Sequence, residues 1–263
     1  MYAFTYERPT TLADAAKLAA SGAKVLAGGQ TLLASMKQRL AQPDTLADLS
    51  SIKELTGIKR DGSALVIGAM TRHMDVAASA DVRAAIPALA DLAAHIGDRQ
   101  VRAMGTLGGS VANNDPAACY PSAVLGLGAT VHTTQRKIAA DDFFRGIFAT
   151  ALNDGELITA ISFPVPKAAA YLKFVQPASR FALVGVFVAQ TAAGVRVAVT
   201  GAGQGVFRHK GLEDALTKSF TVQSAASVKI DAADLNGDIH ATAAYRANLI
   251  SVQTQRAVAK ILG

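Results

Sequence analysis

The stretch GTLGGSVANNDPAACYP, Gly105 to Pro121, crowds glycines, a pair of asparagines and the chain's single cysteine, Cys119, into one short segment. A glycine pair followed by a small hydroxyl residue suits an anion nest, a sharp catalytic turn or a plain surface loop. Glycine permits all three because it lets the main chain approach a ligand closely and adopt turns that side chains forbid. The surrounding sequence decides among them.

A similar loop lies upstream. Ala27-Gly28-Gly29-Gln30-Thr31, followed by Leu32, falls between a short apolar run, Ala23 to Ala27, and helical periodicity from about Leu32 to Leu40. The opening therefore reads β–α–β, with a strand at Phe4–Arg8 and a helix at Thr11–Ala20. Thr10 is the expected N-cap of that helix and Gly22 its end. Thr106-Leu107-Gly108-Gly109-Ser110 also opens a helical stretch. Consecutive N–H groups in both loops, with the hydroxyls of Thr31, Thr106 and Ser110, would donate to phosphate oxygens. Neither loop contains lysine or arginine. Each neutral donor contributes on the order of 0.5–1.5 kcal/mol, so a tightly held pyrophosphate requires both loops together.

Further along, DTLADLS, LTGIKRDG and SALVIGAM read as strands with a turn at Arg60-Asp61-Gly62, and Thr71 is placed to cap a helix through RHMDVAAS. One helix is expected over Ala84–Ile96, another over Pro121–Leu127, then the strand ATVHTT. Asp141-Asp142 marks a helix start, and ELITAISFP a strand. Pro164-Val165-Pro166 is the strongest boundary. Beyond it lie three strand-like runs, YLKFVQP, FALVGVFVAQ and GVRVAVTG, with a turn at Ala192-Ala193-Gly194. Helices follow from about Arg208 and over Ala241–Leu262.

Composition narrows the function. With 263 residues, 51% of them hydrophobic, the chain can bury a substantial core. No basic start leads into an apolar segment and no run nears the roughly 20 apolar residues of a membrane span, so a soluble, cytoplasmic chain is expected. One cysteine excludes an internal disulfide framework, a thiolate zinc site and a four-cysteine iron–sulfur cluster. The net charge of +6 is scattered and tryptophan is absent, which argues against nucleic acid. His73, His95, His132, His209 and His240 lack metal-ligand spacing, so no metal is predicted. Gly201-Ala202-Gly203-Gln204-Gly205 imitates a dinucleotide fingerprint but lacks its βαβ setting and reads as a strand-to-helix connection. Gly108-Gly109-Ser110 imitates a nucleophile elbow, with Asp115, His132, His209 and His240 downstream, although a buried strand should precede such a serine.

Four blocks carry a resemblance: AGGQTLLASMKQRL from Ala27, VIGAMTRHMDVAAS from Val66, HIGDRQVRAMGTLGGSVANNDPAACYP from His95 and KFVQPASRFALVGV from Lys173. In that order, and with the closing AAYRANLISVQTQRAVAKIL, the chain resembles the FAD-binding medium subunit of the molybdenum hydroxylases, the group of xanthine dehydrogenase and aerobic carbon monoxide dehydrogenase. The resemblance implies an α+β fold with a two-part FAD-binding region of the PCMH/vanillyl-alcohol-oxidase type. A small βαβ subdomain (1–55) and a larger α+β subdomain (56–166) would precede a C-terminal three-stranded antiparallel sheet with helices (167–263).

It also implies that Ala27–Leu32 and Thr106–Ser110 hold the FAD pyrophosphate. Gly28, Gly29, Gln30, Thr106, Gly108 and Gly109 fit the family motifs, and Thr31 stands where serine is usual. Cys119 stands where many relatives carry an aspartate that contacts the sugar-like chain of the flavin nucleotide. Phe181, beside Arg180, stands where a tyrosine often lies near the isoalloxazine ring. No catalytic acid or base is implied. The implied partners are a small subunit with [2Fe–2S] clusters and a large molybdopterin subunit, assembled as a dimer of heterotrimers, with an external electron acceptor. The alternatives are a self-sufficient FAD-dependent reductase or oxidase of the same fold, a serine hydrolase using Ser110, and, given the departures at Cys119 and Phe181, a non-catalytic assembly subunit that has lost FAD.

Overall fold

A computed structural model describes all residues, 1–263. Three sheets of different construction follow one another along the chain, with a separate two-stranded hairpin. The first is parallel: β1 (Thr5–Glu7) and β2 (Lys24–Leu26) flank β3 (Thr45–Asp48). The crossovers carry α1 (Leu12–Ala20) and α2 (Leu32–Lys37). The N-cap of α1 is Thr11, not Thr10. Thr11 has Asp14 three residues on, its Oγ1 accepting from the Asp14 N–H at 3.1 Å and donating to Asp14 Oδ2 at 2.7 Å, a reciprocal cap that Thr10 cannot form.

The second sheet is antiparallel, in the order β4 (Ile58–Asp61), β5 (Ala64–Gly68), β10 (Ile158–Pro164), β6 (Thr130–Thr133), β7 (Lys137–Ala139). Between β5 and β6 run α3 (His73–Ala78), α4 (Ala80–Ala85), α5 (Pro87–Ala94), α6 (Arg99–Met104), α7 (Leu107–Asn113) and α8 (Tyr120–Gly126). The single helix expected over Ala84–Ile96 is broken at Ile86, which takes φ −140°, ψ 73°. Proline crowds the residue before it out of the α region, so Pro87 ends one helix and starts the next. Thr71 does not cap α3. Its hydroxyl instead donates to the Gly57 carbonyl and accepts from the Gly57 N–H, at 3.1 and 3.0 Å. Beyond β7, α9 (Ala140–Phe143) leads into the hairpin β8 (Phe144–Gly146) and β9 (Ala149–Thr150).

The third sheet has four strands rather than the expected three: β11 (Ala168–Val175), β12 (Ala182–Thr191), β13 (Gly194–Thr200) and β14 (Phe207–Arg208). A two-residue strand is too short to show alternation, which is why the pattern misses β14. The Gly201–Gly205 segment thus joins strand to strand rather than strand to helix. Gly201, at φ +82°, lies where an added Cβ would be 2.3 Å from the Ala182 carbonyl. Then come α10 (Lys210–Lys218), α11 (Val222–Ala226) and α12 (Ala243–Leu262).

β12 holds the molecule together because it is buried on both faces. Val184, Val186 and Val188 enter a core shared with α10 to α12, while Phe187 and Ala189 enter the core beneath the second sheet and its helices. Polar ties reinforce this junction: Arg196 donates to the Leu125 carbonyl and to Asp141, and Thr200 Oγ1 lies 2.7 Å from both the Pro116 and Ala118 carbonyls.

Near the second sheet, the Glu156 carboxylate is fully buried and accepts from Thr133 Oγ1 (2.6 Å), Arg136 Nε and Nη2 (both 3.1 Å) and the Asn153 N–H (2.8 Å). Burial alone would raise its pKa. The hydrogen bonds from Arg136, Thr133 and the Asn153 backbone outweigh burial and hold it at about 2, against 4.5 ordinarily. A depressed folded pKa stabilises above the unfolded value and loses that contribution as the pH falls through the folded one. The stability gap between the protein and Glu156→Gln should therefore stay constant above about pH 5 and shrink toward pH 2 in denaturant melts. A gap indifferent to pH across that window would show that the carboxylate is not held this way.

Candidate functional site

The two glycine loops, far apart in sequence, touch. A Cβ built on Gly28 would fall 2.2 Å from the Met104 carbonyl oxygen and 2.7 Å from Gly105 Cα, so main chain lies directly on main chain. One built on Gly109 would fall 3.4 Å from the Ala27 Cβ and 2.8 Å from Thr106 Oγ1. The approach is possible because these positions have no side chain.

The loops differ in what they offer a ligand. In the first, the N–H groups of Gly29, Gln30, Thr31 and Leu32 donate to no acceptor in the chain. Gly29 is left-handed at φ +69°, and Gln30 folds its amide back onto the Gly28 carbonyl at 3.1 Å. The Thr31 hydroxyl makes no cap. Successive free N–H groups around a left-handed glycine form a concavity suited to anionic oxygens.

The second loop does not supply the consecutive free donors expected of it. Leu107 N–H goes to the Thr71 carbonyl (3.0 Å), Gly108 to Ala69 (2.8 Å), Gly109 to Thr106 Oγ1 (3.2 Å) and Ser110 to the Thr106 carbonyl (3.1 Å). These bonds cap α7 and bind it to the second sheet. What remains toward a ligand is half-buried: Gly109 and the hydroxyl of Ser110, while Thr106 is 4% exposed and Gly108 is buried with its bare α-carbon against Ala69. Behind the loop, His73 is 4% exposed, its ring 5.2 Å from that of Tyr120 and its Nε2 against Gly105. Burial, assisted by the Arg102 charge, pushes its pKa down to about 4, so it is neutral at physiological pH.

Ser110 sits within helix α7, preceded by helix α6 rather than a buried strand, and its hydroxyl bonds to no histidine or carboxylate. The nucleophile-elbow reading fails on both counts. One of the histidines considered with it, His209, is committed to local structure, its Nδ1 capping α10 through the Leu212 N–H.

Cys119 is buried, 5% exposed, at the start of α8. Its neighbours are the Lys173 ammonium, 3.5 Å from Sγ, and the Tyr171 phenol, which burial and Cys119 hold well above its ordinary pKa. Arg180 and Phe181 lie at the β11–β12 turn, Arg180 left-handed at φ +62° and Phe181 48% exposed. Nothing in the spacing of the sequence announced Lys173, which joins residues from three separate segments.

Residues 2–166, which contain both glycine loops, match the family described as the FAD binding domain in molybdopterin dehydrogenase. Over 276 residues the chain is 34% identical to the carbon monoxide dehydrogenase medium chain of Hydrogenophaga pseudoflava, covering 97% of this chain and 96% of that one. The chain belongs to this family. The corresponding chain of Afipia carboxidovorans is 42% identical over 170 residues, which is 62% of this chain and 59% of its own length. The fold agrees: a structure of the H. pseudoflava enzyme lacking the Mo-pyranopterin moiety of its molybdenum cofactor superimposes with a TM-score of 0.91 at 33% identity, over 99% of this chain and 98% of the other. This FAD-binding domain is thus an oxidoreductase component, and no helix of the chain is long and apolar enough to cross a membrane.

The contact between the loops has a direct test. Gly28→Ala puts a methyl group into the Met104 carbonyl and should destabilise the protein by about 1–3 kcal/mol in urea unfolding, as overpacking does. Gly205→Ala, at a glycine that like Gly28 is not left-handed and whose added Cβ would meet nothing nearer than 3.9 Å, is the control for replacing glycine alone. Equal effects of the two changes would mean that the loops are not in tight contact.

Proposed function

We propose that this chain is the FAD-carrying electron-transfer subunit of a heterotrimeric molybdenum hydroxylase. On this reading it receives electrons from [2Fe–2S] clusters of a small partner subunit and delivers them to an external acceptor, while a large molybdopterin subunit oxidises the substrate. The observation that carries the reading is the meeting of two loops at glycine positions, one loop with four unengaged N–H groups, inside the matched FAD-binding region. Such a surface fits a pyrophosphate: donors on one side, a close glycine wall on the other. Residues 1–55 and 56–166 would form the FAD-binding part and 167–263 a third subdomain.

Bound FAD would supply the redox chemistry. The chain's own residues bind and orient it. Gly29 to Leu32 would donate main-chain N–H groups to the phosphates, and Gly109, beside Ala27, would let the nucleotide lie against the backbone, while Gly28 and Gly108 would shape the site by seating the loops on Met104–Gly105 and on Ala69. Thr31, Thr106 and Ser110 would donate from their hydroxyls. Cys119 offers a buried, weak acceptor where a carboxylate would be a strong one, and Phe181 an exposed ring for stacking, with Arg180 beside it. The lone cysteine supports the division of labour, because this chain cannot itself ligate a cluster of the four-cysteine type.

The purified full chain should show a flavin spectrum without iron, and iron absorption should appear only with co-purifying partners. Gly109→Asp places a carboxylate between the loops and should weaken FAD binding by at least roughly tenfold, since like charges a few ångströms apart repel by about 1–4 kcal/mol. Ser110→Ala should keep the flavin and its reduction. Full FAD retention in Gly109→Asp would remove the loops from the site, and a colourless parent chain that takes up no FAD would overturn the function itself.

A further inference from the structure

The β11–β12 turn is closed by its own hydrogen bonds. Gln176 Oε1 accepts from both the N–H (2.7 Å) and the hydroxyl (3.1 Å) of Ser179. The Gln176 N–H donates to the Phe181 carbonyl at 2.9 Å, the Arg180 N–H to the Gln176 carbonyl at 2.9 Å, and the Phe181 N–H to Ser179 Oγ at 3.3 Å. The left-handed backbone of Arg180 costs conformational energy. The strained turn presents an aromatic ring, 48% exposed, that packs in none of the hydrophobic cores.

One side chain fastens this turn to the FAD-binding region. Lys173, half-buried on β11, directs its ammonium to the Arg180 carbonyl (3.0 Å), to the His95 carbonyl at the end of α5 (2.6 Å) and to Cys119 Sγ at the start of α8 (3.5 Å). Its three N–H donors are thereby matched. The His95 segment continues into Ile96 and Gly97, whose carbonyls accept from Arg102 of α6, both at 3.0 Å, and α6 ends at the Met104–Gly105 main chain on which Gly28 rests. A continuous set of contacts therefore runs from the Phe181 turn through Lys173 to the junction of the glycine loops. No carboxylate lies within ion-pairing distance of this ammonium. A positive charge held by two carbonyls and a thiol keeps more of its field than one neutralised by an acid.

We propose that Lys173 is a positioning residue of the flavin site: it locks the Gln176–Phe181 turn against α5 and α8 and so fixes how Arg180 and Phe181 meet the bound flavin. This rests on the FAD-subunit reading and adds to it a residue that acts through others.

The test uses the full chain loaded with FAD, or the co-purified complex. In Lys173→Met, FAD dissociation should accelerate at least roughly tenfold, the loss of one charge-assisted hydrogen-bonded tie, and the visible circular dichroism of bound flavin should change. Lys173→Arg should restore both. Arg196→Met cuts different ties of the third sheet, to Leu125 on α8 and Asp141 on α9, and should lower the thermal midpoint while leaving the flavin dichroism as in the parent. An unchanged dissociation rate and dichroism in Lys173→Met overturn the proposal. So does an equal change of dichroism in Arg196→Met, since any loosening of the sheet would then suffice. If Lys173→Met does not fold, Lys173→Gln decides on the same two readouts. A parent that binds no FAD sinks the underlying reading instead, which separates the two failures.

Discussion

Everything at the candidate site depends on one steric constraint: two stretches of main chain must touch where Gly28 meets Met104 and Gly105. A peptide backbone can lie this close to another only where Cβ is missing. Once it does, the parallel sheet, whose strand β2 ends at Leu26, is tied to the helices α6 and α7, which are in turn pinned to the second sheet through Ala69 and Thr71. The donors of the second loop are consumed in making that connection. The free N–H groups of the first loop are the counterpart: they stay available because the loop is held by contact rather than by hydrogen bonds of its own.

The same economy explains why the third sheet belongs to the architecture of the site. β12 is apolar on both faces, so it cannot be exposed on either without losing a large part of the burial that stabilises the chain. Its turn with β11 is carried wherever the sheet goes. Thr200 and Arg196 anchor the sheet, and Lys173 anchors the turn. Arg180 and Phe181, outside the matched region in sequence, are thereby linked to it in space.

Much of this architecture is legible in the sequence, and the remainder divides by physical cause. The strands, the helices and both glycine loops leave local signatures in periodicity and punctuation. The break at Ile86 was legible too, since Pro87 dictates it, but apolar periodicity continuing past the proline masked it. β14 was not legible, because two residues carry no pattern. Thr71 looked like a cap and is a tertiary link. The second loop looked like a row of free donors, and only its partners at Ala69, Thr71 and Thr106 reveal that its N–H groups are spent. Lys173 left no trace at all, because its meaning lies in three residues that the fold, not the sequence, brings within reach of one ammonium.

The burial of Cys119 has a practical corollary. The chain's single thiol sits between α8 and the third sheet, shielded from solvent by the very elements that tie the two halves together. A thiol can be alkylated only as an exposed thiolate, so labelling of the native protein must wait for those elements to part. The rate at which the protein acquires one label is therefore a clock for local opening at this junction. The molecule carries its own probe, needing no engineered cysteine, for how often its third sheet lets go.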